Sequence, residues 1–259
     1  MKIFPAVIAD DSYFDLFRLF ETSIRKTGFP FEPTRLYVEP HTVISGEKLE
    51  FLERYKIIHK TRPIGYERWG NWICCESYTS VLRDLGNDSA IGNDDYVMEA
   101  DADTVMLKTT ILNEIDGSDI IGLPTCGERV DFPEYGRKNW AHFSGCFFLF
   151  KGSFLKKFAS VKDSVLLEVK DKIQNCGRPL FDDVFICFFG LMFGATIKEL
   201  GGHHMVSNPE SVILGKTMTD ASIVHWYGDT GTWKTFLGIP VTGKRDLPRA
   251  IRESGINWP

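Results

Sequence analysis

The chain has 259 residues, 43% hydrophobic and 25% charged, which is the balance of a globular protein long enough to bury a sizeable core. Its formal net charge is −5 with no long Lys/Arg run, which argues against nucleic acid as a partner, since binding a phosphate backbone needs a basic surface. A small phosphorylated ligand remains possible if a metal ion or a few local cations offset its charge.

No Pro/Ser/Gly-rich linker, repeat or low-complexity tract divides the sequence, so we expect a single domain over 1–259. Cys74, Cys75, Cys126, Cys146, Cys176 and Cys187 form no CxxC pair and no Cys/His spacing suited to zinc. They read as buried free thiols of a reducing compartment. The N-terminus turns acidic too soon for a signal peptide, and no apolar run is long enough to cross a membrane. A cytoplasmic location is the expectation.

The run Ile3 to Ala9 predicts a strand buried on both faces. Asp10-Asp11-Ser12 supplies N-cap chemistry for a helix in which Tyr13, Phe14, Leu16, Phe17, Leu19, Phe20 and Ile24 recur at helical spacing. Strands are predicted at 34–38 and 55–59, with a short helix over 47–52 between them. A helix from Trp72 to Leu85 is expected to close at Gly86. The next strand, 95–100, ends at Asp101-Ala102-Asp103. Further on, strands are predicted at 119–122, 144–150 and 223–226. Helices are predicted at 154–175, with a break near Lys162, and at 181–193. Strand and helix alternate, which predicts an α/β fold with a mostly parallel sheet flanked by helices. Ligands of such sheets bind beyond the carboxyl ends of the strands, where Asp10 and Asp101 both fall.

Asp101 and Asp103 are two hard oxygen donors two residues apart. On an extended backbone they point to one side and suit Mg²⁺ or Mn²⁺ bound together with substrate phosphates. His225, in His225-Trp226-Tyr227-Gly228, can supply a third ligand from another segment. Gly228 would let the backbone approach a phosphate, and Lys234 would add a positive charge there. Asp182-Asp183 opens an apolar helix. The pair either caps that helix or offers a carboxylate to a substrate, as a base for a hydroxyl or as a polar contact.

In this order the blocks resemble the GT-A fold glycosyltransferases, and most closely glycosyltransferase family 8, which includes glycogenin and the lipopolysaccharide galactosyltransferases. The resemblance runs from Ala9-Asp10-Asp11-Ser12-Tyr13 through the DxD to Phe143-Ser144-Gly145-Cys146-Phe147-Phe148-Leu149-Phe150. It continues at Phe181-Asp182-Asp183-Val184-Phe185 and ends at His225-x-x-Gly228 with Lys234. It implies a Rossmann-like nucleotide-binding half over 1–108 and a smaller, mixed acceptor and sugar half over 109–259. The implied reaction moves a sugar from a UDP-sugar to an acceptor hydroxyl with retention of configuration. The acceptor would be a glycan, a lipid-linked group or a protein. By resemblance, Ala9, Asp10 and Tyr13 hold the nucleoside, with Tyr13 stacked on the base. Asp101, Ala102 and Arg68 contact the donor, while Asp101, Asp103 and His225 bind Mn²⁺ or Mg²⁺. Gly228 and Lys234 receive phosphate, and Asp183 and Asp182 stand at the reacting sugar. Segments 128–140 and 151–178 are expected to present the acceptor surface as loops.

The chain departs from the family at three places. Ser144 follows Phe143 without the usual Asn, Asp183 stands where Gln is common, and the compact Lys-Pro-Trp ending is missing. A carboxylate at Asp183 suits an inverting transferase, with Asp183 or Asp182 as general base. Two further readings share the acidic motif: a phosphatase of the haloacid-dehalogenase type with Asp101 as nucleophile and Asp103 as acid/base, and a nucleotidyltransferase. A third is a non-catalytic sugar-binding module on the same fold.

Overall fold

A computed structural model describes residues 1–63, 73–124, 130–132, 136–140, 143–176, 181–207, 209–215, 221–226 and 234–257. The apolar run at the N-terminus forms β1 (Ile3–Ala9) and feeds α1 (Phe14–Lys26), whose Phe14, Leu16, Phe17, Phe20 and Ile24 are buried at helical spacing. β2 (Arg35–Val38) and α2 (Glu47–Arg54) follow. β3 (Ile58–Thr61) begins later than the expected 55. The reason lies in the end of α2. Lys56 takes the left-handed conformation (φ 54°), and the N–H groups of Lys56 and Ile57 donate to the carbonyls of Glu53 and Leu52 in a Schellman closure. No strand can start until that closure is complete.

α3 (Ile73–Asn87) leads to β4 (Tyr96–Ala100) and, through a tight turn, to β5 (Thr104–Met106), a strand the sequence reading lacks. A 3-10 turn at Thr110–Glu114 precedes β6 (Ile120–Pro124), the short antiparallel pair β7 (Val130–Phe132) and β8 (Arg137–Trp140), and then β9 (Phe143–Lys151). α4 (Gly152–Ala159) and α5 (Asp163–Asn175) are separate helices, broken at the expected Lys162. Most of 151–178 is therefore helical rather than loop, and part of 128–140 is strand.

α6 (Asp182–Met192), β10 (Ile197–Glu199), β11 (Met205–Val206), α7 (Pro209–Ile213) and β12 (Ile223–His225) come next. The chain closes with β13 (Thr235–Phe236), β14 (Ile239–Pro240), a 3-10 turn at Lys244–Asp246 and α8 (Leu247–Glu253).

A seven-stranded sheet runs in the order β10-β6-β9-β4-β1-β2-β3, with β1 parallel to β2, β10 parallel to β6 and β9 antiparallel to β6. A smaller mixed sheet runs β11-β12-β5, parallel then antiparallel. This is the α/β architecture expected, a mostly parallel sheet flanked by helices with a lesser mixed sheet.

The chain divides into two compact units. One comprises Met1–Pro5, Thr61–Glu99 and Ile115–Gly201; the other comprises Ala6–Lys60, Ala100–Glu114 and Gly202–Pro259. In the first, α3 lies against α4 at Gly86. A Cβ on that residue would fall 2.2 Å from the Leu155 carbonyl oxygen. Gly86 therefore lies inside α3 and permits a close helix approach, where the sequence reading made it a helix stop. In the second, Val105 of β5 and Val224 of β12 share a core with Trp226, Phe236, Val241, Leu247, Ala250 and Ile251. That core ties the smaller mixed sheet to α8. No described helix is long and apolar enough to cross a membrane. Of the described thiols, Cys146 and Cys187 are buried as expected, and Cys176 is exposed.

Candidate functional site

The acidic motif lies in the turn between β4 and β5. The Thr104 N–H donates to the Asp101 carbonyl at 3.0 Å, so the backbone does not stay extended through the motif. The two carboxylates still converge, because β5 pairs antiparallel with β12 and sets His225 opposite Thr104. His225 Nε2 then lies 3.3 Å from Asp103 Oδ1 and 3.4 Å from Asp101 Oδ2. One ligand atom from each of Asp101, Asp103 and His225 falls within 4.8 Å of the other two. Two hard carboxylates and a borderline imidazole, one of them open to solvent, form a donor set that fits Mn²⁺ or Mg²⁺.

A cleft of about 290 Å³ opens beside this cluster, lined by Ile8, Ala9, Asp10, Tyr13, Glu39, Asp101, Ala102, Asp103 and Lys244. Ala9 and Ala102 are buried and leave room in its wall. Asp10 Oδ1 accepts from the Ser12 and Tyr13 N–H groups, at 2.8 and 2.9 Å, and from Ser12 Oγ at 2.5 Å. It thus closes the turn ahead of α1, whose N-cap Tyr13 has no side-chain cap bond, and holds Tyr13 at the cleft. Lys244 Nζ and Arg245 Cζ lie 5.2 and 5.1 Å from the Tyr13 ring centroid.

Lys244 is the residue sequence reasoning missed. Its Nζ meets Asp103 Oδ2 at 2.5 Å, across 141 residues of chain. No spacing rule links them; the only hint is a Gly243-Lys244-Arg245 turn ahead of a helix. The expected phosphate lysine, Lys234, is exposed at the start of β13 and does not line the cleft. Glu39, just past the end of β2, is a second wall residue without a motif. Arg68 and Gly228 lie outside the described residues.

Burial works against the charge on Asp103, but the bonds from His225 and Lys244 outweigh it and hold the carboxyl below its ordinary range. Asp101 moves the other way, pushed up by its withdrawn position and then by the Asp103 charge, against the His225 contact. Half of the Asp101 side chain still reaches solvent, which weakens the burial contribution. Burial also disfavours the Lys244 ammonium, yet Asp103 keeps its affinity for the proton raised.

In the other unit, Asp182 and Asp183 open α6. Asp182 Oδ1 accepts from the Asp183 N–H at 2.9 Å, and Asp183 Oδ1 accepts from the Val184 N–H at 2.7 Å. Gly145 of β9 faces them, and a Cβ there would lie 3.7 Å from the Asp183 Cβ. Nearby, the buried Tyr78 hydroxyl donates to Glu99 Oε2 at 3.2 Å. Burial, then Glu99 and Asp182, hold that phenol well above its usual range.

No protein-family model and no curated protein matches the chain. Solved structures do. The galactosyltransferase LgtC, crystallised with donor and acceptor sugar analogs, superposes with a TM-score of 0.54 at 13% identity, covering 87% of each chain. The glycosyltransferase GlyE of Streptococcus pneumoniae TIGR4 gives a TM-score of 0.56 at 13% identity. There the match covers 99% of this chain but only 62% of GlyE. An active-site glutamine-to-glutamate variant of LgtC gives 0.52 at 11% identity, covering 97% of this chain and 95% of that one. The fold is GT-A.

Retention of configuration, expected from the family resemblance, does not stand. Likeness at 11–13% identity carries the fold and no stereochemistry. The first turn of α6 holds two carboxylates, Asp182 and Asp183, with Asp183 at the position where Gln is common in that family. A carboxylate is the group that takes a proton from an attacking hydroxyl in single displacement.

Proposed function

We propose that the chain is a metal-dependent glycosyltransferase that moves a sugar from a UDP-sugar to an acceptor hydroxyl with inversion. The observation that carries this reading is the convergence of Asp101, Asp103 and His225 beside a cleft at the carboxyl end of β4, on a GT-A fold. A divalent ion held there would neutralise charge developing on the departing diphosphate. The chain's own residues do the rest. Tyr13 and Asp10 position the nucleoside, with Glu39 on the same wall. Lys244 supplies a cation for the phosphates. Asp183 is assigned the base: the acceptor oxygen attacks the anomeric carbon, its proton passes to the carboxylate, and the carbon–oxygen bond to phosphate breaks with its electron pair leaving on UDP. Fixed donors and charges lower the barrier by orientation and by electrostatic preorganisation.

Calorimetric titration of UDP in the presence of Mn²⁺, repeated with EDTA, tests the reading. UDP should bind with Mn²⁺ and lose most of its affinity with EDTA. Asp103→Asn should weaken the metal-dependent binding by about 100-fold, the loss expected when a charged ligand becomes a neutral one. The variant should keep a cooperative melting transition. UDP binding to Asp103→Asn at wild-type strength would overturn the proposal.

A further inference from the structure

Asp103 serves two partners at once. Its Oδ1 faces His225 Nε2, while its Oδ2 accepts from Lys244 Nζ at 2.5 Å. Asp103 is 3% exposed and the Lys244 side chain 20%, so water screens this ion pair poorly. The lysine is also held in place. The Thr242 N–H and Oγ1 donate to Asp246 Oδ2 at 2.7 and 2.8 Å, closing the turn that carries residue 244. Leu247 and Ile251 of α8 then anchor this turn in the core that holds Val105 of β5, one residue beyond Thr104. Carboxylate and ammonium are thus fixed to one scaffold.

The three ligand atoms that suit a divalent ion lie within 4.8 Å of one another, and an ammonium is bonded to one of the three side chains. An ion entering there would share a carboxylate with a like charge. An incoming diphosphate changes this balance, because its oxygens can accept from Lys244 and ligate the ion together. We infer that Lys244 is a built-in competitor of the metal at Asp103, and that the donor's diphosphate couples to metal binding by drawing this ammonium off the carboxylate. Metal alone then binds weakly, nucleotide alone binds weakly, and each strengthens the other by the same factor. An apo site of this kind resists stray cations and fills when the donor arrives. The inference rests on the metal-dependent transferase reading.

Removing the charge tests it. Mn²⁺ binding is read from the electron paramagnetic resonance of the free ion, for wild type and Lys244→Met, with and without UDP. Lys244→Met should bind Mn²⁺ alone about tenfold more tightly than wild type, within the usual span of site-to-site coupling. The factor by which Mn²⁺ tightens UDP should fall to a similar extent. Lys244→Arg, which keeps the charge, should behave as wild type. Lys244→Gln repeats the comparison if the methionine variant lacks a cooperative melt. If wild type binds Mn²⁺ in the presence of UDP but the neutral variants bind Mn²⁺ alone no more tightly than it does, the competitor role fails and the transferase reading stands. If wild type binds no Mn²⁺ under either condition, the metal-dependent reading fails, and the inference with it.

Discussion

Two acidic residues at the head of α6 have a structural use and a proposed chemical one. Asp182 and Asp183 accept backbone N–H groups in the first helical turn, where negative charge also complements the helix dipole. A neutral amide keeps an oxygen acceptor for that turn but cannot take a proton. Asp183→Asn therefore separates the two uses. We expect it to lower transfer turnover by about 10³-fold, within or near the usual range for losing a general base, while the melting temperature shifts by a few degrees or less. Asp163→Asn is the control. It opens α5 in a comparable way and pairs with Arg83 at 2.6 Å. This second variant should change stability modestly and turnover little. Equal, small losses of turnover in both variants would return Asp183 to a helix-capping role alone. Product anomeric configuration, read by proton NMR of the wild-type reaction, should be inverted.

At the scale of elements, periodicity made the longer strands and helices readable and packing decided what it left out. β1, α1, β4, the strand over 144–150 and the break at Lys162 follow from apolar spacing and cap residues, which are local signals. β5 is three residues long, too short for any period to register, and it exists because β12 pairs with it. That pairing is also what brings His225 to the acidic motif, so the candidate metal ligands were legible as residue types while the device that assembles them was not. Lys244 was not legible, because its partner lies 141 residues away. Gly86 is a similar case: a glycine near a helix end reads as a stop, but its reason is the neighbouring helix. Replacing it tests this. Alanine is worth about 1 kcal/mol more than glycine inside a helix, yet here its Cβ would meet the backbone of Leu155 at 2.2 Å and the Ala159 Cβ at 2.8 Å. Backbone atoms cannot swing away, so we expect Gly86→Ala to destabilise by about 2 kcal/mol net in urea unfolding. Gly202→Ala, with nothing within 4 Å of the new Cβ, should be close to neutral. A stabilised Gly86→Ala would show that helix propensity, not the α3–α4 approach, governs the site.

Across the molecule, described carboxylates are shifted in both directions. Asp11, Asp95, Asp103, Asp116 and Asp246 are held below their ordinary range, and Glu21 and Asp101 above it. The causes of the low set are bonds to the ionised form: Lys48 to Asp11, Ser118 to Asp116, and the Thr242 N–H to Asp246. At Asp95 burial opposes, and the N–H groups of Lys2 and Gly92 prevail. A carboxyl whose folded pKa is depressed stabilises the fold above its unfolded value, and that contribution is lost as pH falls through the folded value. Glu21, raised by burial despite its bonds to Thr34 and Arg25, acts in the opposite sense. Its contribution is present below the unfolded value and fades as pH rises through the folded one. The five low carboxyls should therefore cost the metal-free protein melting temperature as pH drops from 6 to 3, most steeply below about 4. Mn²⁺ adds a second pH dependence. An ion that binds only the folded state stabilises it, by about 2.7 kcal/mol at a hundred times its dissociation constant, provided its ligands carry no protons. The Mn²⁺-induced rise in melting temperature should therefore be present at pH 7 and shrink towards pH 4, because the Asp101 carboxyl, whose hold on its proton is raised by burial, must give that proton up to bind the ion. Differential scanning fluorimetry across that range checks both effects. Stability that rises on acidification would mean that raised carboxyls such as Glu21 and Asp101 outweigh the low ones, and a Mn²⁺ increment undiminished at pH 4 would place the ion away from Asp101, Asp103 and His225.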